Sequence, residues 1–205
     1  AAVKGHEGCL RVLHELGGNA AASLAAAAEK GGNSPAHGAA FQGHEGCLRL
    51  LHELGGEAAA SLAATGANGV TPAHVAAVKG HEGCLRVLHE LGGDTAASVV
   101  AANASGVAPA HSAAAKGHEG CLRVLHELGG EAAASLVAKG ANGVTPAHGA
   151  ARNGHEGCLR VLHELGGEAA ASLAAKDANG DTPAHHAARE GHEGCLRVLH
   201  ELGGE

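Results

Sequence analysis

A fourteen-residue phrase, Gly-His-Glu-Gly-Cys-Leu-Arg-Val-Leu-His-Glu-Leu-Gly-Gly, limits what this chain can fold into more than any other feature. It occurs six times, at 5–18, 43–56, 80–93, 117–130, 154–167 and 191–204, and Leu50 in place of Val is the one change among the copies. Cys9, Cys47, Cys84, Cys121, Cys158 and Cys195 mark a spacing of 38 residues once and then 37 four times. A fixed period in this range is the signature of a stacked repeat array. Within 82–91, Cys84, Leu85, Val87, Leu88 and Leu91 form one apolar helical stripe. Gly92-Gly93 then supplies left-handed residues that stop the helix. Glu82, Arg86 and Glu90 fall on the outer side at i, i+4 and i+8, the spacing of ion pairs within one helix.

Composition agrees with thin layers. The 205 residues include one Phe and no Trp or Tyr, so a layer must be filled by Ala, Leu, Val and Cys. The net charge of −7 argues against a general nucleic-acid binder, which needs a basic footprint, and no nucleic-acid partner is expected. No apolar run reaches the length of a membrane span. The chain starts without Met, inside a repeat, and is expected to be a piece of a longer array. The six cysteines occupy one helical position in successive copies. Packed helices lie about 8–10 Å apart, beyond the roughly 7 Å Cα limit of a disulfide. Reduced core thiols and an intracellular setting are therefore expected.

Each full repeat also contains a second, shorter helix. In Asn68-Gly69-Val70-Thr71-Pro72-Ala73-His74, Asn-Gly marks a turn, Thr71 is the N-cap and Pro72 fits the first helical position. The helix runs on through Val75-Ala76-Ala77-Val78-Lys79 to Gly80. Its small Ala pair recurs at Ala39-Ala40, Ala113-Ala114, Ala150-Ala151 and Ala187-Ala188, and offers a surface for close packing. The opening recurs at Ser34, Thr145 and Thr182, while Ala108 takes the cap position once, at an expected cost of about 1 kcal/mol.

The Thr-Pro-x-His opening, the Ala pair, the Gly-His after the short helix and the Leu-rich helix closed by Gly resemble the ankyrin repeat across essentially the whole chain. The resemblance implies an all-α solenoid of stacked antiparallel helix pairs with finger turns, the short helices and fingers lining a concave face. Residues 1–18 would be a partial repeat, followed by repeats at 19–56, 57–93, 94–130, 131–167 and 168–205, all in a single array. The period exceeds the ankyrin value of about 33 residues by four. The excess falls after Gly-Gly, in Glu57-Ala58-Ala59-Ala60-Ser61-Leu62 and its counterparts. That stretch is too short for an independent helix, but anchored by Leu62 it can add one helical turn. One further residue lies around Ala28-Glu29-Lys30-Gly31-Gly32.

The eighteen histidines fall into three classes. His37, His74, His111, His148 and His185 match the ankyrin opening, where the ring ties down the turn through nearby backbone. His6, His44, His81, His118, His155 and His192 stand at the start of the long helix and are assigned a local cap-like role. His14, His52, His89, His126, His163 and His200 lie late in that helix. A ladder of these last rings is the one arrangement here that could hold a transition metal, but it lacks the convergent ligands and ordered supporting shell of strong sites. No His-Glu-x-x-His, phosphate loop or nucleotide glycine fingerprint is present. Acids and His recur identically in every repeat, whereas a catalytic site is one asymmetric constellation. Neither catalysis nor a cofactor or metal is assigned.

The copies differ after the opening His, after the Ala pair and in the fingers. The residues assigned to partner binding come from there: Val75, Val78, Lys79, Ser112, Ala115, Lys116, Arg152, Asn153, His186, Arg189 and Glu190. The identity of the long helices, exposed Glu and Arg included, exceeds what packing requires and reads as recent duplication. Charge divides along the same line. The long helices carry six Arg and twelve Glu, with five more acids just after them, and stand at −11; the short helices and fingers stand at +4. An acidic or polar protein partner would be steered to the latter. The leading reading is a non-catalytic interaction or scaffold module. A structural segment of a large multiprotein assembly and a metal-binding His array are the alternatives.

Overall fold

The computed structural model describes residues 1–24 and 32–203. It divides into two compact units, Ala1–Ala104 and Ser105–Glu205. The described residues are helices, turns and loops, with no strand among them. Apart from Gly32, the extra residue expected around Ala28–Gly32 lies outside the described residues.

In the first unit, the partial opening copy contributes the 3₁₀ turn Ala2–Lys4, α1 (Glu7–Glu15) and α2 (Gly18–Ala22). Two fuller copies follow, α3 (Pro35–Gln42), α4 (Glu45–Leu54) and α5 (Gly56–Ala60), then α6 (Pro72–Lys79), α7 (Glu82–Glu90) and α8 (Gly93–Ala97). The second unit repeats the order with α9 (Pro109–Lys116), α10 (Glu119–Leu128), α11 (Gly130–Ala134), α12 (Pro146–Arg152), α13 (Glu156–Glu164), α14 (Gly167–Ala171), α15 (Pro183–Glu190) and α16 (Glu193–Glu201). The sequence accounts for each boundary. Thr71 Oγ1 accepts from the His74 amide at the start of α6, Pro72 occupies its first position, and Gly80 ends it at φ 76°. The Gly pair after each of the first five long helices turns the chain directly into a third, five-residue helix. In α5, as the sequence suggested, that added turn is pinned by Leu62, which is fully buried.

The core of each unit is the seam between short and long helices. Ala39, Ala40, Ala76 and Ala77 in the first unit and Ala113, Ala114, Ala150 and Ala151 in the second have no exposed surface. Cys84, Leu85, Val87 and Leu88 are buried as the stripe requires, and Leu91 at its end is half-buried. Each fully buried Leu contributes about 1.5–3 kcal/mol, and small Ala faces let the helices approach closely enough to exclude water. The cysteines are free thiols, exposed at Cys9 and buried at the other five positions. Burial pushes Cys84 and Cys158 up to about 12 and Cys195 to about 11.

Candidate interaction face

The invariant phrase is largely occupied in holding one copy to the next. The Gly-His ring is expected to have a local capping role, but in none of the long helices does it cap through its side chain. Instead His81 Nε2 donates to the Phe41 carbonyl at 3.1 Å in the first unit. In the second unit His155 donates to Ala115 at 3.1 Å and His192 to Arg152 at 3.0 Å. The ring lies against the glycine that ends the preceding short helix. A Cβ at Gly43 would sit 2.9 Å from His81 Nδ1, and Gly43 already has φ +77°, so both backbone and space demand glycine there. The second Gly of the phrase has a different reason. A Cβ at Gly83 would collide with the Glu45 carboxylate, and one at Gly157 with that of Glu119.

The outer Arg residues correct the sequence reading in the same sense. Arg11 pairs with Glu53 at 3.4 Å and Arg49 with Glu90 at 2.7 Å in the first unit, and Arg123 with Glu164 at 2.6 Å and Arg160 with Glu201 at 3.2 Å in the second. These bonds link neighbouring long helices rather than turns of one helix; Arg197 with Glu193 at 3.5 Å is the i, i+4 pair. The four inter-helix pairs are about half exposed and the Arg197–Glu193 pair more so, so each contributes on the order of 0–1 kcal/mol. Their effect is to commit the back of each unit to its own neighbours.

The opening histidines do tie down the turn, and they also reach the next copy. His37 Nδ1 accepts from the Ser34 amide at 3.1 Å while its Nε2 donates to the Val70 carbonyl at 2.9 Å. His148 does the same between the Thr145 amide at 3.2 Å and the Asp181 carbonyl at 3.0 Å, with Thr145 Oγ1 at 2.8 Å from Nδ1. Burial holds His37, His111 and His148 below the ordinary imidazole value despite those carbonyl bonds. The late-helix rings His14, His52, His126, His163 and His200 are exposed and His89 is half-buried.

The short helices and fingers carry the residues the sequence assigned to a partner. In the first unit, Val75 and Val78 are half-buried on α6 and Lys79 is exposed at its end, its Nζ 4.2 Å from the centroid of the Phe41 ring. Phe41, absent from the sequence-assigned set, is 46 % exposed. Its being the one aromatic, at a position where the copies differ, was the signal available in the sequence. An apolar cavity of about 470 Å³ beside the opening copy has Val3, Gly38, Phe41 and Val75 in its lining.

In the second unit, Ser112 and Ala115 are half-buried on α9 and Lys116 is exposed; Arg152 and Asn153 are exposed at the end of α12, as are Arg189 and Glu190 on α15. Much of this charge is already matched. Arg189 pairs with Asp181 at 2.7 Å and Arg152 lies 3.9 Å from Glu190. Asn153 Nδ2 donates to the Gly149 carbonyl at 2.8 Å. His186 is turned inward, its Nε2 at 3.1 Å from Asp177 Oδ2 and its ring edge-on to His148 at 5.2 Å. The His186 hydrogen bond, with the Asn179 and Asp181 amides, holds the Asp177 carboxyl below the usual range. Asp177, Asp181 and His186 form the one cluster of metal-ligating groups among the described residues. Its ligand atoms already bind amides, an imidazole and a guanidinium, so the cluster reads as a closed polar network stiffening the finger.

No helix among the described residues is long and apolar enough to cross a membrane. No curated protein matches the chain. A family model described as "Ankyrin repeats (3 copies)" matches residues 57–135 and 128–205. Together with the helix order, the finger turns and the histidine-tied openings, that match places the chain in the ankyrin-repeat family.

Proposed function

We propose that this chain is a non-catalytic scaffold that binds a protein partner on the face built from the short helices and fingers. Ankyrin repeats are in general protein–protein interaction modules and are typically not catalytic. The observation that carries the choice of face is the division of labour within each repeat. The invariant residues of the long helices are engaged with neighbouring copies through ion pairs, His-to-carbonyl bonds and Glu-over-Gly contacts. The residues that vary, Lys79, Ala115, Lys116, Arg152, Asn153 and Glu190 among them, lie on the short helices or just past their ends. A surface already bonded to itself gains little from a partner, whereas one holding unmatched Lys side chains and half-exposed apolar groups gains both steering and burial. The partner is acidic or polar where it meets Lys79 and Lys116.

The test is a pull-down from the native source, followed by charge reversal in correctly folded variants. Lys79→Glu, Lys116→Glu and Arg152→Glu should each weaken capture by about three- to tenfold at low salt, with the difference shrinking as salt rises. Arg123→Glu and Arg160→Glu on the long helices should change affinity little. The opposite ranking would move the site to the acidic back and favour the assembly-segment reading.

A further inference from the structure

We propose that Phe41, with Lys79 held over its ring, anchors the first unit's face, and that the segment it takes carries a large aliphatic side chain next to a carboxylate. This rests on the reading of the short helices as the binding face and adds the chemistry of what binds there. Among the described residues the large exposed hydrophobic side chains are Val3, Val12, Leu16 and Phe41. The first three belong to the partial opening copy. Phe41 lies on α3, which packs against the Ala2–Lys4 turn on one side and α6 on the other, so its exposure persists with neighbouring copies in place. One exposed hydrophobic group is ordinary by itself.

The second observation is the cation. Lys79 Nζ stands 4.2 Å from the ring centroid, and among the described residues no carboxylate is in ion-pair range of it. In the second unit Arg189 binds Asp181 and Arg152 approaches Glu190, and Lys116, which stands at the repeat position of Lys79, has no second phenylalanine to sit on. The first unit thus offers a ring, the half-buried Val75 and Val78 nearby, and an unmatched ammonium at the rim. An aliphatic side chain laid on the ring and the valines would leave water, and a neighbouring carboxylate would meet the ammonium without displacing any internal acid. A basic segment would be repelled, and a purely acidic one would leave the ring wet.

Because Phe41 is the one phenylalanine, biosynthetic 4-fluorophenylalanine places a single ¹⁹F reporter at the proposed anchor in the full chain. The probes are three blocked tripeptides at equal ionic strength: N-acetyl-Glu-Leu-Glu amide, N-acetyl-Lys-Leu-Lys amide and N-acetyl-Glu-Ser-Glu amide. The expected result is a saturable ¹⁹F shift with Glu-Leu-Glu at least about fivefold tighter than with either of the others, and a reversed order between the two Leu probes in Lys79→Glu. No saturable shift with Glu-Leu-Glu, or equal response to all three, overturns the proposal. Labelled valine methyls separate the two levels of the argument. Shifts at Val75 and Val78 with a silent Phe41 would overturn the anchor and leave the face standing. Shifts confined to Val87, Val124 and Val161 on the long helices would overturn both.

Discussion

His148 illustrates how much one side chain does in this fold. Its Nδ1 must be unprotonated to accept from the Thr145 amide at 3.2 Å, and its Nε2 must carry the proton it donates to the Asp181 carbonyl at 3.0 Å. Protonation would place a donor against a donor in a buried site. Desolvation, joined by the nearby His186, therefore holds His148 below 6.5, and burial does the same to His37 and His111. The unfolded chain binds these protons near pH 6.5 while the folded chain does not, so the unfolded state carries more protons below that value. The rings should thus leave stability level above about pH 7 and lower it as pH falls through 6.5, each by at most about 1.4 kcal/mol per pH unit until its folded value is passed. Urea unfolding at pH 7.5 and pH 5.5 measures this, with a lower midpoint expected at pH 5.5. An unchanged or higher midpoint would contradict the neutral, acceptor role of these rings. The resemblance to the ankyrin opening implied the turn-tying half of this role. It was silent on the Nε2 bond, whose acceptor is 33 residues away and becomes a neighbour only through stacking.

At the level of elements, the short helices were legible because each has a local signal: Pro at the first position, Gly just after the last turn and, in all but α9, a hydroxyl cap before the Pro. The long helices were equally plain from their stripe. The misreadings concern polar residues whose partners lie in another copy. Arg49 was expected to pair within its own helix and instead reaches Glu90; His81 was expected to cap α7 and instead bonds the carbonyl of Phe41 on α3. Within one copy, i, i+4 spacing is the only available guide, and the stacked copy supplies a better-placed carboxylate. This also changes the meaning of the repeated phrase. Its outward Glu and Arg are interface residues, so their identity has a structural reason beside duplication. The α9 cap gives a direct check on local reasoning. Ala108 leaves His111 Nδ1 with only the Ala108 amide, at 3.3 Å, where Thr145 provides both an amide and a hydroxyl. Ala108→Thr should stabilise the protein by about 1 kcal/mol in urea unfolding. No gain would mean that the hydroxyl is not what the other copies draw upon.

Across the molecule, two kinds of residue serve two ends. Within each unit, the repeated Arg, Glu and Gly-His residues of the long helices bond to the neighbouring copy, and the residues that differ are gathered on the short helices and fingers. The candidate face was legible as the place of variation, since variation needs no coordinates to see. Its chemistry was less so. The charge tally assigned a surplus of +4 to the short helices and fingers, yet Arg189 is bound to Asp181 and His186 to Asp177, so the features proposed to meet a partner are lysines, Lys79 and Lys116 among them, and the ring of Phe41. The claim beneath all of this is that copy-to-copy contacts carry the fold, so stability is a sum over repeats and their nearest-neighbour interfaces. Urea unfolding of the α9–α16 unit beside a shorter piece spanning α12–α16 tests it most directly. The account predicts a clearly lower midpoint and smaller unfolding slope for the shorter piece, because it lacks the interfaces of α9 with α12 and of α10 with α13. Equal midpoints in the two would show that each repeat stands by itself, and would contradict the account.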